Sequence, residues 1–106
     1  MSAAVIPVVV RGDSMEPTLR DGDRVVVRRL GWAPRAGDVV LVPDPRAPWR
    51  GLLKRIAEVG PEGLELAGDR PDRSTDSRQF GPVDPRSVEG RVLFRYSPLA
   101  RAGRVR

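Results

Sequence analysis

The stretch Val5-Ile6-Pro7-Val8-Val9-Val10-Arg11-Gly12-Asp13-Ser14-Met15-Glu16-Pro17-Thr18-Leu19-Arg20-Asp21-Gly22-Asp23-Arg24-Val25-Val26-Val27-Arg28 sets the fold class. It opens on one β-branched run and closes on another, and such side chains suit the pleated surface of a strand. Between the runs, Gly12 permits an unusual backbone conformation. Met15 to Leu19 can form one short helical turn, with Pro17 tolerated near its start. Gly22-Asp23 reads as a tight turn into the second run. The same form recurs at Gly37-Asp38, and turn chemistry accounts for both Asp residues.

Outward from this stretch, Asp38 to Val42 and Val88 to Tyr96 are further short strands. Leu52 to Val59 and Leu64 to Ala67 form a hairpin around Gly60-Pro61-Glu62-Gly63. No window carries a helical period over three turns. Pro43 to Arg50 reads as a plain connection. Gly68 to Pro82 is a long loop, and structureless loops of that length tend to be functional. The expectation is a mostly β protein: one compact domain, 1–106, of coiled antiparallel sheets with only short helical turns. Its core spans about 8–96, and 97–106 form a basic C-terminal tail.

The chain has no Cys and no His. Disulfides and thiolate sites are excluded, and a transition metal would have only carboxylates to bind it. No metal and no cofactor are expected. The longest apolar run, Ala3 to Val10, contains Pro7 and falls short of the ~18–20 residues that span a bilayer. A cytoplasmic protein is expected, with a peripheral membrane contact allowed but no integral segment. The net charge is +5, but acids interleave with the arginines along the whole chain. No aromatic lies in a base-stacking motif, so a solvated basic surface is expected and no nucleic-acid partner. Trp32 and Trp49 lie in Pro- and Arg-rich connections. We expect them to pack over the sheet, a dip into a membrane surface being the alternative.

Eighteen residues are Arg and one is Lys, Lys54. Arg keeps its proton in a protein, whereas a buried Lys can lose it and become a base. On a strand, Lys54 shares a face with Leu52 and Ile56, and apolar neighbours disfavour its charged form. Ser14 opens a turn where a strand ends, which can expose its hydroxyl and aim backbone N–H groups at one spot. A Ser needs a base to act as a nucleophile, and without His the remaining route is Ser with Lys. In the long loop, Asp76 and Arg78 can pair.

Four segments together resemble the type I signal peptidase family of Ser-Lys endopeptidases: Gly12 to Leu19; Gly22 to Val27; Gly37 to Val40 with Lys54-Arg55; and Gly68-Asp69 through Asp76-Ser77-Arg78-Gln79-Phe80-Gly81. They occur in the family's order. The resemblance implies a signal-peptidase/LexA-like fold, with Ser14 as nucleophile and Lys54 as general base. It also implies that Ser74 orients the lysine amine, that Asp76 and Arg78 form a supporting ion pair, and that Asp69 supports the same loop. Met15 would shape the substrate cleft, and the Ser14 N–H would be one oxyanion donor. The sequence departs from the pattern in four ways. Gly12 stands where many members carry a hydroxyl, and Arg70 where Asn is usual. The span from Lys54 to Gly68 is short, and no anchor is seen.

This compact form is similar to the nickel-type superoxide dismutase maturation proteases, which remove an N-terminal propeptide. The implied partner is then a nickel superoxide dismutase precursor. General leader processing and a catalytically silent peptide-binding module are the alternatives. LexA-like self-cleaving repressors share the chemistry, but the residues ahead of Ser14 leave no room for their cleavage loop, and the Asp76-Ser77-Arg78 box favours the signal peptidase side.

Overall fold

The computed structural model describes residues 4–29, 32–70 and 81–106. These form seven strands: β1 (Val5–Val9), β2 (Arg24–Arg28), β3 (Val39–Asp44), β4 (Ala47–Gly60), β5 (Gly63–Ala67), β6 (Gly90–Ser97) and β7 (Gly103–Arg104). All pair antiparallel in one sheet of order β1-β2-β6-β3-β4-β5, with β7 added on β6. Beyond turns, the helical content among the described residues is two 3-10 turns, Pro85–Ser87 and Leu99–Arg101. The chain is thus a mostly β domain, as the β-branched runs imply.

β3 organises the interior. Its continuous run Val39-Val40-Leu41-Val42 is buried on both faces, as an unalternating apolar strand must be. Val39 and Leu41 join one cluster with Val10, Met15, Leu19, Val25, Val27 and Val92. Val40 and Val42 join a second with Ile56, Leu64, Leu66 and Val83. The period of two along one strand therefore divides the core, with the sheet coiling around both halves. Gly90 marks where β6 closes on β2. A Cβ there would collide with the Val27 side chain and stand 2.7 Å from the Arg28 carbonyl oxygen. Gly90→Ala should cost about 1–3 kcal/mol through overpacking. Thermal unfolding checks this, and an unchanged melting temperature would contradict it.

The two Gly-Asp turns share one design. In each, Gly takes a positive φ, +87° at Gly22 and +96° at Gly37. The following Asp donates its N–H to an Arg carbonyl three residues back and accepts that Arg's N–H on its carboxylate, at 2.9 Å for Arg20–Asp23 and 3.0 Å for Arg35–Asp38.

Three expectations change. Pro43 to Arg50 is not a plain connection: β3 and β4 continue to a tight hairpin at Pro45-Arg46. Buried Asp44 closes it by accepting the Arg46 N–H at 2.9 Å and the Arg46 guanidinium. Trp32 packs against the second core cluster, but Trp49 is 84% exposed on β4. The residues after 96 return to the sheet: β7 pairs with β6, and Val105 packs on the first cluster.

Candidate active site

The β1–β2 connection carries Ser14. Its ends are tied by the Val10 N–H to the Asp23 carbonyl, 2.8 Å, and the Gly22 N–H to the Val10 carbonyl, 2.8 Å. Gly12, at φ +82°, turns the chain out of β1, and its N–H donates to Asp21 at 2.8 Å. A hydrogen-bonded turn follows, in which the Leu19 N–H reaches the Met15 carbonyl at 2.9 Å. Buried Met15 and Leu19 anchor it in the first core cluster, which leaves Ser14 half-buried at the surface. The expected helical turn is thus a single turn, held by its apolar residues.

Ser14 lines a cleft of about 400 Å³. One wall is Val8 to Gly12 with Ser14 and Met15, and the other is Leu41 with Arg50 to Leu53 of β4. Lys54 is the next residue on β4. It pairs with Val40 and is 2% exposed. Its strand neighbours Leu52 and Ile56 both belong to the second apolar cluster, so the alternation read from the sequence holds. The Ser14 N–H donates to no acceptor among the described residues, whereas its carbonyl accepts the Arg70 N–H at 2.9 Å.

Asp69 joins three segments of the site. It accepts two hydrogen bonds from the Arg55 guanidinium, both 2.8 Å, and one from the Thr18 hydroxyl. Arg55 also reaches the Gly37 carbonyl at 2.6 Å and the Arg106 carbonyl at 2.8 Å. The strand of Lys54, the turn of Ser14 and the start of the long loop thus meet on one carboxylate. The Arg55 hydrogen bonds hold the Asp69 carboxyl below its ordinary value, against the opposing effect of burial, and Thr18 adds to them. Arg70, at the usual Asn position, reaches Glu16 at 2.7 Å and Asp13 at 3.5 Å across the Ser14 turn. Ser74, Asp76 and Arg78 lie outside the described residues.

No local sequence pattern announces a second hub. Asp23, 2% exposed, accepts both Arg101 nitrogens at 2.8 Å and Arg95 at 3.3 Å. Arg95 also donates to the Thr18 carbonyl at 2.8 Å, so this hub braces the Ser14 turn from below. Burial alone would raise the Asp23 pKa, but the Arg20 N–H and the Arg101 and Arg95 guanidinia outweigh it and lower it.

Carboxyls depressed in the fold contribute stability that is complete above their unfolded pKa of about 4 and is lost as pH falls toward the folded value. These carboxyls should contribute no pH dependence between about pH 5 and pH 7, and the melting temperature should drop below about pH 4. A melting temperature that rises on acidification would contradict the Asp23 and Asp69 pairings.

The family model described as "Signal peptidase, peptidase S26" matches residues 1–70. The chain belongs to this family of serine peptidases. Proteins similar to it include the human "Mitochondrial inner membrane protease subunit 1", 30% identical over 93% of this chain and 74% of the human protein. The Arabidopsis thaliana "Mitochondrial ATP-independent inner membrane protease subunit 1a" is 36% identical over 92% and 73%. "Signal peptidase IB" of Staphylococcus aureus is 24% identical over 91% and 80%. These relatives overturn the cytoplasmic expectation: the human and Arabidopsis thaliana proteins are named as inner membrane proteases. Among the described residues no helix is long and apolar enough to cross a membrane.

Proposed function

We propose that this signal peptidase cuts an N-terminal leader or propeptide from a protein substrate with a Ser14–Lys54 dyad. The observation that carries this reading is the burial of Lys54, the single lysine of the chain, immediately beyond the cleft wall that faces Ser14. Burial disfavours an ammonium, and a neutral amine accepts a proton. Lys54 takes the Ser14 Oγ proton as Oγ bonds to the scissile carbonyl carbon. The carbonyl oxygen becomes an oxyanion, and the Ser14 N–H, which meets no acceptor among the described residues, donates to it. Lys54 then returns the proton to the amine as the C–N bond breaks, leaving an acyl-enzyme. Water attacks the ester carbonyl carbon as Lys54 takes the water proton, and Lys54 passes that proton to the Ser14 Oγ as the acyl–Oγ bond breaks and the acid is released.

Supporting roles follow by resemblance. Ser74 orients the lysine amine, Asp76 and Arg78 brace the loop, Asp69 links it to β4, and Met15 shapes the cleft. Gly12 offers no hydroxyl, so the second oxyanion donor must come from another group. β1 is an edge strand whose end forms a cleft wall, which suits an extended substrate with small side chains near the cut. The relatives' names favour action at a membrane surface. The candidate substrate is a nickel-type superoxide dismutase precursor, on the resemblance of the compact form to that branch.

Incubating the protein with that precursor and with a secretory leader peptide, then sequencing the products, tests the reading. One cut that exposes the N-terminal His of the dismutase supports it in full. Cleavage of the leader alone keeps the dyad and removes the dismutase. No cleavage of either, with no fluorophosphonate adduct on Ser14, would establish a silent peptide-binding module instead.

A further inference from the structure

We propose that Arg11 and Arg50 form a cationic pair at the mouth of the Ser14 cleft, and that this pair selects substrate segments carrying an Asp or Glu side chain there. The proposal rests on the cleft being the substrate site. Both arginines line it, one from the end of β1 and one from β4, and both are exposed. Among the described residues no acidic side chain lines the cleft, and the rest of the lining is largely apolar.

Most arginines near the site are committed: Arg55 to Asp69, Arg70 to Glu16 and Asp13, and Arg46 to Asp44. Arg11 and Arg50 make no hydrogen bond or ion pair through their side chains among the described residues. The acids around them are engaged elsewhere. Asp21 accepts the Gly12 N–H. Asp13 lies 3.5 Å from Arg70. Asp44 feels the charge of Arg50, but its oxygens are held by Arg46.

Two guanidinia over apolar walls, with no ion-pair partner among the described residues, create a local positive field at the cleft mouth. A guanidinium fork matches a carboxylate in shape as well as charge, so a carboxylate is the favoured guest. A substrate Lys or Arg at the same position would be repelled.

The test uses a blocked peptide series built on Ala and Ser, in which successive single positions are Asp, Asn or Lys. Cleavage is followed for the intact protein and for Arg11→Gln, Arg50→Gln and the double variant, at low and high salt. Binding to Ser14→Ala protein is read in parallel from the fluorescence of Trp49, which adjoins Arg50. At one position Asp should be preferred over Asn by about five-fold in kcat/KM, the scale of an exposed charge pair. Lys should be worse than Asn. The preference should shrink at high salt and vanish in the double variant.

Equal cleavage of the three peptides, or a preference that survives the double substitution, overturns the charge selection and leaves the peptidase reading standing. If nothing is cleaved but Ser14→Ala protein binds the Asp peptide in an Arg-dependent way, the selection stands and the peptidase reading falls. Arg-independent binding overturns the selection in that case too.

Discussion

Lys54→Met is expected to lower peptide cleavage by about 10³- to 10⁴-fold while the protein stays folded. Lys54 sits between Leu52 and Ile56 on β4 and is 2% exposed. Met is similar in length and brings no charge to bury, so packing should be kept. What Met lacks is an amine that can take the Ser14 proton. Lys54→Arg gives the complementary control, because it keeps a cation but cannot release its proton. Ser14→Ala should lose as much as either, since nucleophile and base act as a unit, and the double variant should be little worse than the singles. Turnover assays with circular dichroism on the same samples separate lost chemistry from lost fold. Appreciable turnover by folded Lys54→Arg would rule out the dyad.

The largest expected loss of stability lies at Asp23. Asp23→Asn should destabilise the protein by about 3 kcal/mol, the lower end of the cost of removing one partner from a buried ion pair. The lower end applies because Arg101 and Arg95 retain 25% and 14% side-chain exposure. The substitution leaves two guanidinia facing an uncharged amide, and it weakens the bond that closes the Arg20–Asp23 turn. Arg101→Gln should cost less, since Asp23 keeps Arg95 and the Arg20 N–H. Chemical denaturation of the two variants tests the order. If Asp23→Asn unfolds at the same denaturant concentration as the parent, the hub contributes no net stability.

The strands were readable because their residues do two things at once. Val25 and Val27 alternate with exposed neighbours, and Val39 to Val42 run without a break because β3 is covered on both faces. The β3–β4 hairpin was hidden by Pro43, Pro45 and Pro48, which in sequence read as a loop. Here the turn is closed by a carboxylate, Asp44, whose burial no local pattern announces. The Asp23 hub was hidden for another reason. Its arginines lie 72 and 78 residues along the chain: the pairing of β6 with β2 brings Arg95 there, and the turn after β6 brings Arg101. Ser14 and Lys54 were legible because composition singled out the lysine and turn chemistry the serine. That the cleft lined by Ser14 reaches Leu53, the residue before Lys54, follows from the pairing of β3 with β4 and the reach of the β1–β2 connection, which no short window contains.

The central claim is that Lys54 activates Ser14. The rate at which a fluorophosphonate labels Ser14, followed by intact mass across pH, measures this directly. The account predicts a rate that climbs with pH as Lys54 loses its proton, and labelling slowed about 10³-fold in Lys54→Met. Equal labelling rates in the two proteins, or an adduct on a residue other than Ser14, would contradict it.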